Sequence, residues 1–254
     1  MAPCALEKQH VPGRMTDSEC AAFLQWALPR LGLRWSGFRK VRRQVCKRIA
    51  RRLRELALSD TNAYRRYLEE TPGEWPHLDA CCRISISRFY RDRAVFDALG
   101  EVVLPALALR IQERGGDTLR AWSVGCAAGE EPYTLALLWE LALRDDWPEL
   151  RLEILATDSD EHQLERAGRA VYPPSSLRGL PKPWLERAFE ETPPGARLRE
   201  SFRRTVRFEL QDLRREMPDG PFDLVLCRNV AFTYFGAALQ TRVGRRIACR
   251  MAPG

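Results

Sequence analysis

Residues 118–139, TLRAWSVGCAAGEEPYTLALLW, are the stretch from which the fold can be predicted. The apolar run 119–124 has the length of a buried strand. Gly125 and Gly129 bracket a short loop of small residues, and Pro132 suits the first turn of the helix that follows. Because a glycine loop between a strand and a helix lets a ligand approach the backbone closely, this loop is a candidate ligand site.

The charge of the loop indicates which ligand fits. Glu130 and Glu131 stand where a helix N-terminus favours carboxylates, and no Lys or Arg lies between Arg120 and Arg144. The loop is neither GxGxxG nor a phosphate-binding loop ending in Gly-Lys-Ser/Thr. Two carboxylates would repel a pyrophosphate and would suit S-adenosylmethionine, which carries a sulfonium, an ammonium and a ribose diol. An ordinary strand-to-helix turn would have the same spacing.

Further apolar runs extend the same pattern along the chain. The runs 152–158, 205–213 and 221–227 predict three more strands. The alternation of strands with helices is typical of a parallel α/β sheet, in which ligands bind at the carboxyl ends of the strands. The residues after each strand are therefore candidate site residues.

The part of the chain before the loop has a helical pattern. The stretch 94–113 predicts an amphipathic helix bent at Gly100 or Pro105. The stretch 70–79, ETPGEWPHLD, has two prolines and a glycine, which predict a hinge or linker.

Four stretches together resemble the CheR-type methyltransferases, the family that methylates chemoreceptor glutamates. SVGCAAGEEPYTLA at 123–136 is similar to the family's cofactor loop, and RISISRFYRD at 83–92 to its NxTxFFRD segment. LATDSDEHQLERAGRAVY at 155–172 resembles its acidic second strand and the next helix, and FDLVLCRNVAFTYF at 222–235 its FDLIFCRNVxIYF strand. The stretches occur in the family's order.

The resemblance implies the fold class and the domains. We expect an α/β protein with a class I methyltransferase (Rossmann-like) sheet, preceded by a small all-α N-terminal domain and lacking the family's last β-hairpin. The expected divisions are a disordered 1–15, a helical domain 16–72, a linker and cofactor-covering segment 73–93, and a methyltransferase domain 94–254 with an inserted subdomain near 173–200.

Composition restricts the function classes. The 254 residues include 41 Lys and Arg against 34 Asp and Glu, a net charge of +7. The sequence contains no run of 18 apolar residues, which a membrane span would need, and residues 1–14 lack the apolar core of a signal peptide. We therefore expect a cytoplasmic protein. The eight cysteines have no metal-ligand spacing and are expected as reduced thiols. The three scattered histidines argue against a His-based metal site or triad.

The resemblance implies a set of cofactor-binding positions. The segment 83–92 is expected to lie across S-adenosylmethionine (product S-adenosylhomocysteine). Ser85 stands where the family has Asn and offers fewer hydrogen bonds, whereas Ser87 keeps the hydroxyl of the family's Thr. The complete set is Ser85, Ser87, Arg91, Gly125, Gly129, Glu130, Asp158, Asp212, Leu213, Asn229 and Val230, with no metal ligand.

Two acidic residues of this set, Asp158 and Asp212, could cap a helix instead of binding the cofactor. Asp158 ends the predicted second strand, where an acidic residue of a nucleotide-binding unit hydrogen-bonds ribose hydroxyls. It could instead cap the helix that starts at Asp160, or Asp160 could take its place. Asp212 occupies the position of the family's Asn beside the adenine, and it could equally cap a helix over 213–217.

The reaction implied by the resemblance is methyl transfer to a glutamate carboxylate. A glutamate with a pKa near 4.3 is already ionised and needs no general base. The candidate catalytic residues are Arg91, Arg228 and Tyr234. Arg91 would line the methionine end of the cofactor, whereas Arg228 and Tyr234 would position the acceptor or have a structural role. Because this fold serves many substrates, a small carboxylic acid or another acceptor is an alternative, as is a non-catalytic cofactor-binding relative.

The basic stretch 37–56 is the candidate partner surface. Its apolar residues recur every three or four positions, which predicts one helix. Nine basic residues and no acidic one lie from Arg39 to Arg54. This is a solvated face, a nucleic-acid surface without a recognisable motif, or a docking surface for an acidic protein. The resemblance implies the last, with a chemoreceptor cytoplasmic region as partner and neither nucleic acid nor membrane insertion. The oligomeric state is not predicted.

Overall fold

A computed structural model describes residues 15–253 and divides the chain into two units by their internal contacts. Within the described residues, the N-terminal unit comprises 15–84 and 233–236, and the sheet unit comprises 85–232 and 237–253. The predicted disorder of 1–15 falls almost wholly outside the described residues. No helix between residues 15 and 253 is long and apolar enough to cross a membrane.

The N-terminal unit is built from five helices and a 3-10 turn. Thr16 caps the first helix, since its hydroxyl accepts a hydrogen bond from the Glu19 N–H while its own N–H donates to the Glu19 carboxylate. The elements are α1 (Asp17–Arg30), α2 (Trp35–Phe38), α3 (Arg42–Glu55), α4 (Thr61–Glu70), the 3-10 turn Pro72–Glu74 and α5 (Trp75–Cys81).

The prediction of one helix over 37–56 is wrong, because the chain turns between α2 and α3. The Val41 N–H donates to the Phe38 carbonyl, a three-residue closure that ends α2 before α3 begins. Gly37 also packs so tightly on the 233 backbone that a Cβ would lie 2.2 Å from the Thr233 oxygen. Such a close approach fixes the direction of α2, which the apolar spacing alone does not reveal.

The stretch 70–79 is not a linker in the structure. Glu74 is 3% exposed, and its carboxylate accepts from Arg52 at 2.9 and 2.8 Å and from the Tyr64 hydroxyl at 2.7 Å. Pro72 starts the 3-10 turn, a position that needs no N–H donor. The units divide at Ile84 and Ser85 instead.

The expectation that all cysteines are reduced is also corrected. The sulfur atoms of Cys20 on α1 and Cys46 on α3 lie at 2.00 Å as a disulfide. The two residues are 26 positions apart, so the pairing has no short cysteine motif from which it could be predicted. The other described cysteines, at 81, 82, 126, 227 and 249, are free.

The sheet unit contains a four-stranded parallel sheet in the order β6-β2-β1-β7. Its strands are β1 (Thr118–Val124), β2 (Arg151–Asp158), β6 (Val206–Leu210) and β7 (Leu224–Leu226). β1 pairs with β2 from Thr118 opposite Arg151 to Val124 opposite Thr157. All four strands therefore end at the same edge of the sheet, as the sequence predicts.

Helices of this unit pack with the strands to form its core. The helices are α6 (Arg93–Ala98), α7 (Leu104–Glu113), α8 (Glu130–Leu138), α9 (Glu161–Arg169), α12 (Glu200–Arg203) and α14 (Ala237–Ala248), and α13 (Ala231–Tyr234) spans the boundary between the two units. A π-helical turn, Leu99–Val103, joins α6 to α7 where the sequence predicts a bend. It contains Gly100, where a Cβ would lie 3.0 Å from Leu138 of α8. The π-helical turn therefore packs closely against α8 at Gly100.

A smaller antiparallel sheet in the order β3-β5-β4 occupies the region assigned to an inserted subdomain. It consists of β3 (Val171–Tyr172), β4 (Phe189–Thr192) and β5 (Gly195–Leu198), with α10 (Pro174–Leu177) and α11 (Lys182–Ala188). Phe89 packs edge-on against Tyr172 and Phe189, which anchors the segment 85–92 on this sheet. Between α14 and residue 253 the structure contains no further strand.

Candidate active site

The glycine loop after β1 has a backbone that only glycine suits. Gly125 has φ +69° and Gly129 has φ +88°. A Cβ at Gly125 would lie 2.3 Å from a methyl group of Val230. The N–H groups of Gly125 and Cys126 donate to the Thr157 carbonyl at 2.7 and 3.1 Å. The loop is thereby fixed between the ends of β2 and β7.

Asp158 closes the loop from the side of β2. Its Oδ2 accepts from the Ala127 N–H at 2.8 Å, and its Oδ1 accepts from the Asp160 N–H at 2.9 Å. The cap of α9 is Asp160, whose carboxylate accepts from the His162 N–H, so the capping alternative for Asp158 is wrong. Burial raises the pKa of Asp158 against the lowering effect of these backbone hydrogen bonds.

Glu130 is a buried carboxylate with one unpartnered oxygen. The residue is 2% exposed, its Oε1 accepts from the Ser176 hydroxyl at 3.4 Å, and its Oε2 has no hydrogen-bond partner within residues 15–253. Burial raises its pKa, against the lowering effect of the Ser87 and Ser176 hydroxyls. A buried acceptor without a donor is destabilising unless a ligand or water supplies one. The Oε2 atom therefore marks a place for a donor group.

Glu131, the next residue, points to a different set of partners. Its Oε1 accepts from the Ser123 hydroxyl at 2.9 Å, and its Oε2 accepts from Arg228 Nη1 at 3.1 Å. Arg228 Nη2 donates to the Arg91 carbonyl at 2.8 Å and to Asp92 Oδ2 at 2.7 Å. Burial raises the pKa of Glu131 to about 7, although Arg228 and Ser123 lower it. These contacts link the start of α8, the end of β7 and the segment 85–92.

The segment 85–92 is held on its inner side as well. The Tyr90 N–H donates to the Thr134 hydroxyl at 3.1 Å, and that hydroxyl donates to the Glu130 carbonyl at 2.6 Å. Arg91 Nη1 donates to the Ile86 carbonyl at 2.5 Å, which folds the segment back on itself. The segment therefore contacts the turn of α8 that carries both glutamates.

The acidic residues closest to Arg91 along the chain, Asp92 and Asp97, have other partners in the structure. Asp92 pairs with Arg228, and Asp97 accepts from the Tyr90 hydroxyl at 3.2 Å. Asn229 has φ +55° and donates to Asp92 at 3.4 Å. Asn229 and Val230 thus reach the same edge as the glycine loop.

Asp212 and Leu213 lie at the end of β6. Asp212 Oδ1 accepts from the Arg214 N–H at 3.0 Å, and its Oδ2 pairs with Arg214 Nη2 at 2.8 Å. Residues 213–215 form a turn, so the predicted helix over 213–217 is wrong, although Asp212 does cap the turn. Leu213 is buried, and the Gln211 N–H donates to the Asp158 carbonyl. The end of β6 therefore adjoins that of β2.

The predicted site residue Tyr234 belongs to the N-terminal unit. Within that unit its ring lies 5.1 Å from that of Phe38, and its carbonyl accepts from the Arg34 N–H. The sequence also gave no role to Ser176, which lies 46 positions from its partner Glu130. Only the YPPSSLRG run, rich in turn residues, points to this region.

The residues at this edge fit S-adenosylmethionine. The unpartnered Oε2 of Glu130 can accept from an ammonium or a hydroxyl, and Asp158 offers a second carboxylate at the strand end. A phosphate would meet two acidic groups here. Among residues 15–253 no cluster of three His, Cys, Asp or Glu side chains could hold a metal ion.

The sequence of the chain is similar to those of chemotaxis methyltransferases. Residues 85–254 match the family described as "CheR methyltransferase, SAM binding domain". The chain is 32% identical to "Chemotaxis protein methyltransferase 2" of Pseudomonas aeruginosa over 215 residues, which cover 82% of this chain and 74% of that protein. It is 35% identical to a chemotaxis protein methyltransferase of Listeria monocytogenes over 61% of this chain and 55% of that protein.

A larger relative shares the same region. An uncharacterized 104.1 kDa protein of Rhodobacter capsulatus is 34% identical over 80% of this chain, which spans only 21% of that protein. The parallel sheet, the glycine loop and the acidic strand ends all lie in the part that the family match covers. The chain therefore belongs to the CheR methyltransferase family, with a class I, Rossmann-like sheet and S-adenosylmethionine as its cofactor.

Proposed function

We propose that this chain methylates glutamate carboxylates of a protein acceptor of the chemoreceptor type. The observation that carries the proposal is the acidic edge of the sheet, where the buried carboxylate of Glu130 has an oxygen without a hydrogen-bond partner. Bound S-adenosylmethionine supplies a methyl group, which an acceptor carboxylate oxygen takes as the carbon–sulfur bond breaks and its electron pair stays on sulfur. The products are a glutamate methyl ester and S-adenosylhomocysteine.

The residues divide the binding of this cofactor by charge. Glu130 suits its ammonium or hydroxyl groups, and Asp158 suits the ribose diol. Ser87 and Arg91, on the segment 85–92, suit the methionine end, where the Arg91 guanidinium can pair with a carboxylate. Gly125 leaves room for Val230 and adopts the φ of +69° that shapes the loop.

The chain's own groups need not take a proton from the acceptor. A glutamate acceptor is ionised at neutral pH, so catalysis consists of orientation and exclusion of water. Glu130 is only 2% exposed, so little water reaches its carboxylate, and burial raises the pKa of both Glu130 and Asp158. A poorly hydrated site strengthens the attraction between an anionic acceptor and a cationic donor.

Helix α3 is the proposed docking surface for the acceptor. Its exposed residues Arg43, Lys47, Arg51 and Arg54 recur at steps of three and four and form one basic face. Arg42 and Arg52 are paired internally with Asp17 and Glu74, so they belong to the fold rather than to this face. A basic face of this kind attracts acidic proteins and speeds their encounter. Because chemoreceptor methylation regions are cytoplasmic, the proposal places the chain in the cytoplasm.

Transfer of tritiated methyl groups tests the proposal. Purified chain, labelled S-adenosylmethionine and an acidic helical receptor fragment should give protein-bound label that is released as methanol by mild base, as expected of a carboxyl ester. The same fragment with glutamines at its candidate glutamates is the matched control and should take up no label. Label that resists base, or equal label on the control, would contradict a glutamate acceptor.

A further inference from the structure

Arg228, two residues after β7, forms ion pairs with both Asp92 and Glu131. We infer that Arg228, held by Glu131, is a positioning residue that fixes the segment 85–92 over the methyl-donor site through Asp92 and the Arg91 backbone. This inference rests on the proposed function, and it gives Arg228 a different role from the acceptor-positioning role expected from the sequence.

The contacts of Arg228 argue against direct contact with an acceptor. Its side chain is 15% exposed, and both Nη atoms donate to protein oxygens, to Glu131 on one side and to Arg91 and Asp92 on the other. The guanidinium also lies over the Phe96 ring, 5.1 Å from its centre. A group engaged on both edges and one face is suited to joining protein segments.

The backbone that Arg228 supports is unusual. Tyr90 has φ +54° and Asp92 has φ +59°, a region that non-glycine residues rarely adopt. Such residues persist only where the surroundings over-determine them. Asp92 stands at the N-cap of α6, yet its carboxylate does not cap that helix and accepts from Arg228 and Asn229 instead. The Asp92 carboxylate therefore stabilises the segment 85–92 and does not cap α6.

The position of Arg91 depends on this backbone. The Arg91 side chain donates to the Ile86 carbonyl, while its own carbonyl accepts from Arg228. Arg91 is therefore fixed at both ends of the residue. Releasing its carbonyl would loosen the guanidinium that is proposed to bind the methionine end of the cofactor.

Glu131 anchors the network in α8, one residue after Glu130. The charged groups that act on Glu131 are Arg228 and Arg91, which favour its ionised form, and Asp92, which opposes it. Cys126 and Cys227 lie nearby as neutral thiols, because burial raises the pKa of each. Ionised Glu131 is the counter-ion of Arg228 at the base of the network. Its pKa of about 7 means that the pair is fully formed above neutrality and weakens below it.

Hydrogen–deuterium exchange tests the inference directly. The variants are Arg228→Met, Arg228→Lys and Glu131→Gln, and the matched control is Arg151→Met, which removes an exposed ion pair with Asp117 at the opposite end of β2. In the free protein, Arg228→Met and Glu131→Gln should speed exchange of the 85–93 amides about tenfold, since each loses charged hydrogen bonds. Arg228→Lys should fall between them and the parent, and Arg151→Met should match the parent.

Ligand measurements separate positioning from direct catalysis. In Arg228→Met the Kd for S-adenosylhomocysteine and the KM for S-adenosylmethionine should rise about tenfold, with kcat at saturating cofactor within a few-fold of the parent. Between about pH 6 and pH 8 the affinity of the parent for S-adenosylhomocysteine should increase more steeply with pH than that of Glu131→Gln. The difference between the two proteins is the effect of ionising Glu131. Glu130 and Asp158 are present in both proteins and cancel in this comparison.

Two results would overturn the inference. One is unchanged exchange of the 85–93 amides in both Arg228→Met and Glu131→Gln. The other is a lower kcat in Arg228→Met with no change in ligand affinity, which would make Arg228 a direct acceptor contact. The exchange experiment uses no ligand, so it gives its answer even if the parent bound no cofactor, an outcome that would contradict the proposed function alone.

Discussion

At the residue scale, the site contains carboxylates whose burial disfavours their ionised form. Glu130 and Glu131 follow one another in the first turn of α8, yet one has an unpartnered oxygen and the other is paired with Arg228. Burial raises the pKa of both. Acidic groups kept in such surroundings are typical of functional sites, where stability is sacrificed for binding.

Glu131 gives the stability of the chain an unusual pH dependence. Its folded pKa is about 7, above the ordinary 4.5, so the folded chain holds a proton that the unfolded chain releases. The stabilisation from this group is present below about pH 4.5 and is lost as pH rises through about 7, roughly 3 kcal/mol in all. Glu130 and Asp158 act in the same direction. Urea unfolding at several pH values should show a shallower decline in Glu131→Gln, and an identical profile would contradict this assignment.

Gly125 provides a second prediction at this scale. Gly125→Ala places a Cβ 2.3 Å from Val230 at φ +69°, so it should cost about 2–4 kcal/mol of unfolding free energy. Gly115→Ala is the matched control: it has φ +73° with no atom within 4 Å, and should cost only about 1 kcal/mol. Chemical denaturation measures both. Equal costs would show that the packing on Val230 is not tight.

At the element scale, local patterns predicted the strands better than the connections. The apolar runs at 119–124 and 152–158 became β1 and β2 because buried parallel strands have a continuous local signal. The break between α2 and α3 depends on Gly37 meeting the 233 backbone, a contact across about 200 positions. No spacing within the helix reports such a contact.

The site shows the same division. Its glycines and the acidic residue at the end of β2 could be found from sequence, since they sit beside recognisable strand ends. The Arg228 network could not, because its partners lie 97 and 136 positions away. Likewise Ser176 and the helical state of 72–81 depend on tertiary contacts of Glu130 and Glu74.

The buried carboxylate of Glu74 predicts how α5 is attached. Glu74→Ala removes the acceptor of the buried Tyr64 hydroxyl and one of the two carboxylates paired with Arg52, so it should lower the unfolding free energy by about 2–3 kcal/mol. Glu69→Ala, which removes an exposed pair with Arg65, is the control and should change it by less than about 1 kcal/mol. Thermal and urea unfolding are the measurements. A small effect of Glu74→Ala would mean that packing alone holds α5.

At the scale of the whole molecule, the net charge of +7 is concentrated on the element proposed for docking. Lys47 and Arg51 lie on the exposed face of α3, in the N-terminal unit, while the carboxylates of the site lie in the sheet unit. Binding of an acidic acceptor and binding of the cofactor should therefore respond to different substitutions.

Charge reversal on α3 tests this separation. Lys47→Glu combined with Arg51→Glu should raise the KM for an acidic acceptor about tenfold or more at low salt, with a weaker salt dependence than the parent. The Kd for S-adenosylhomocysteine should not change. The matched control is Arg242→Glu, at an exposed residue of α14 in the sheet unit. It should leave the acceptor KM near the parent value. Equal effects of the two changes would reduce α3 to a contributor of net charge.

Calorimetric titration with S-adenosylhomocysteine of the parent chain, Glu130→Gln and Asp158→Asn tests the cofactor site most directly. We expect micromolar binding by the parent and at least about tenfold weaker binding by each variant, since both substitutions remove a charged acceptor at the edge of the sheet. Glu130→Gln should at the same time be as stable as the parent or more so, because a buried charge is gone. Equal affinity in all three proteins, or no binding by the parent, would contradict a cofactor site at this edge.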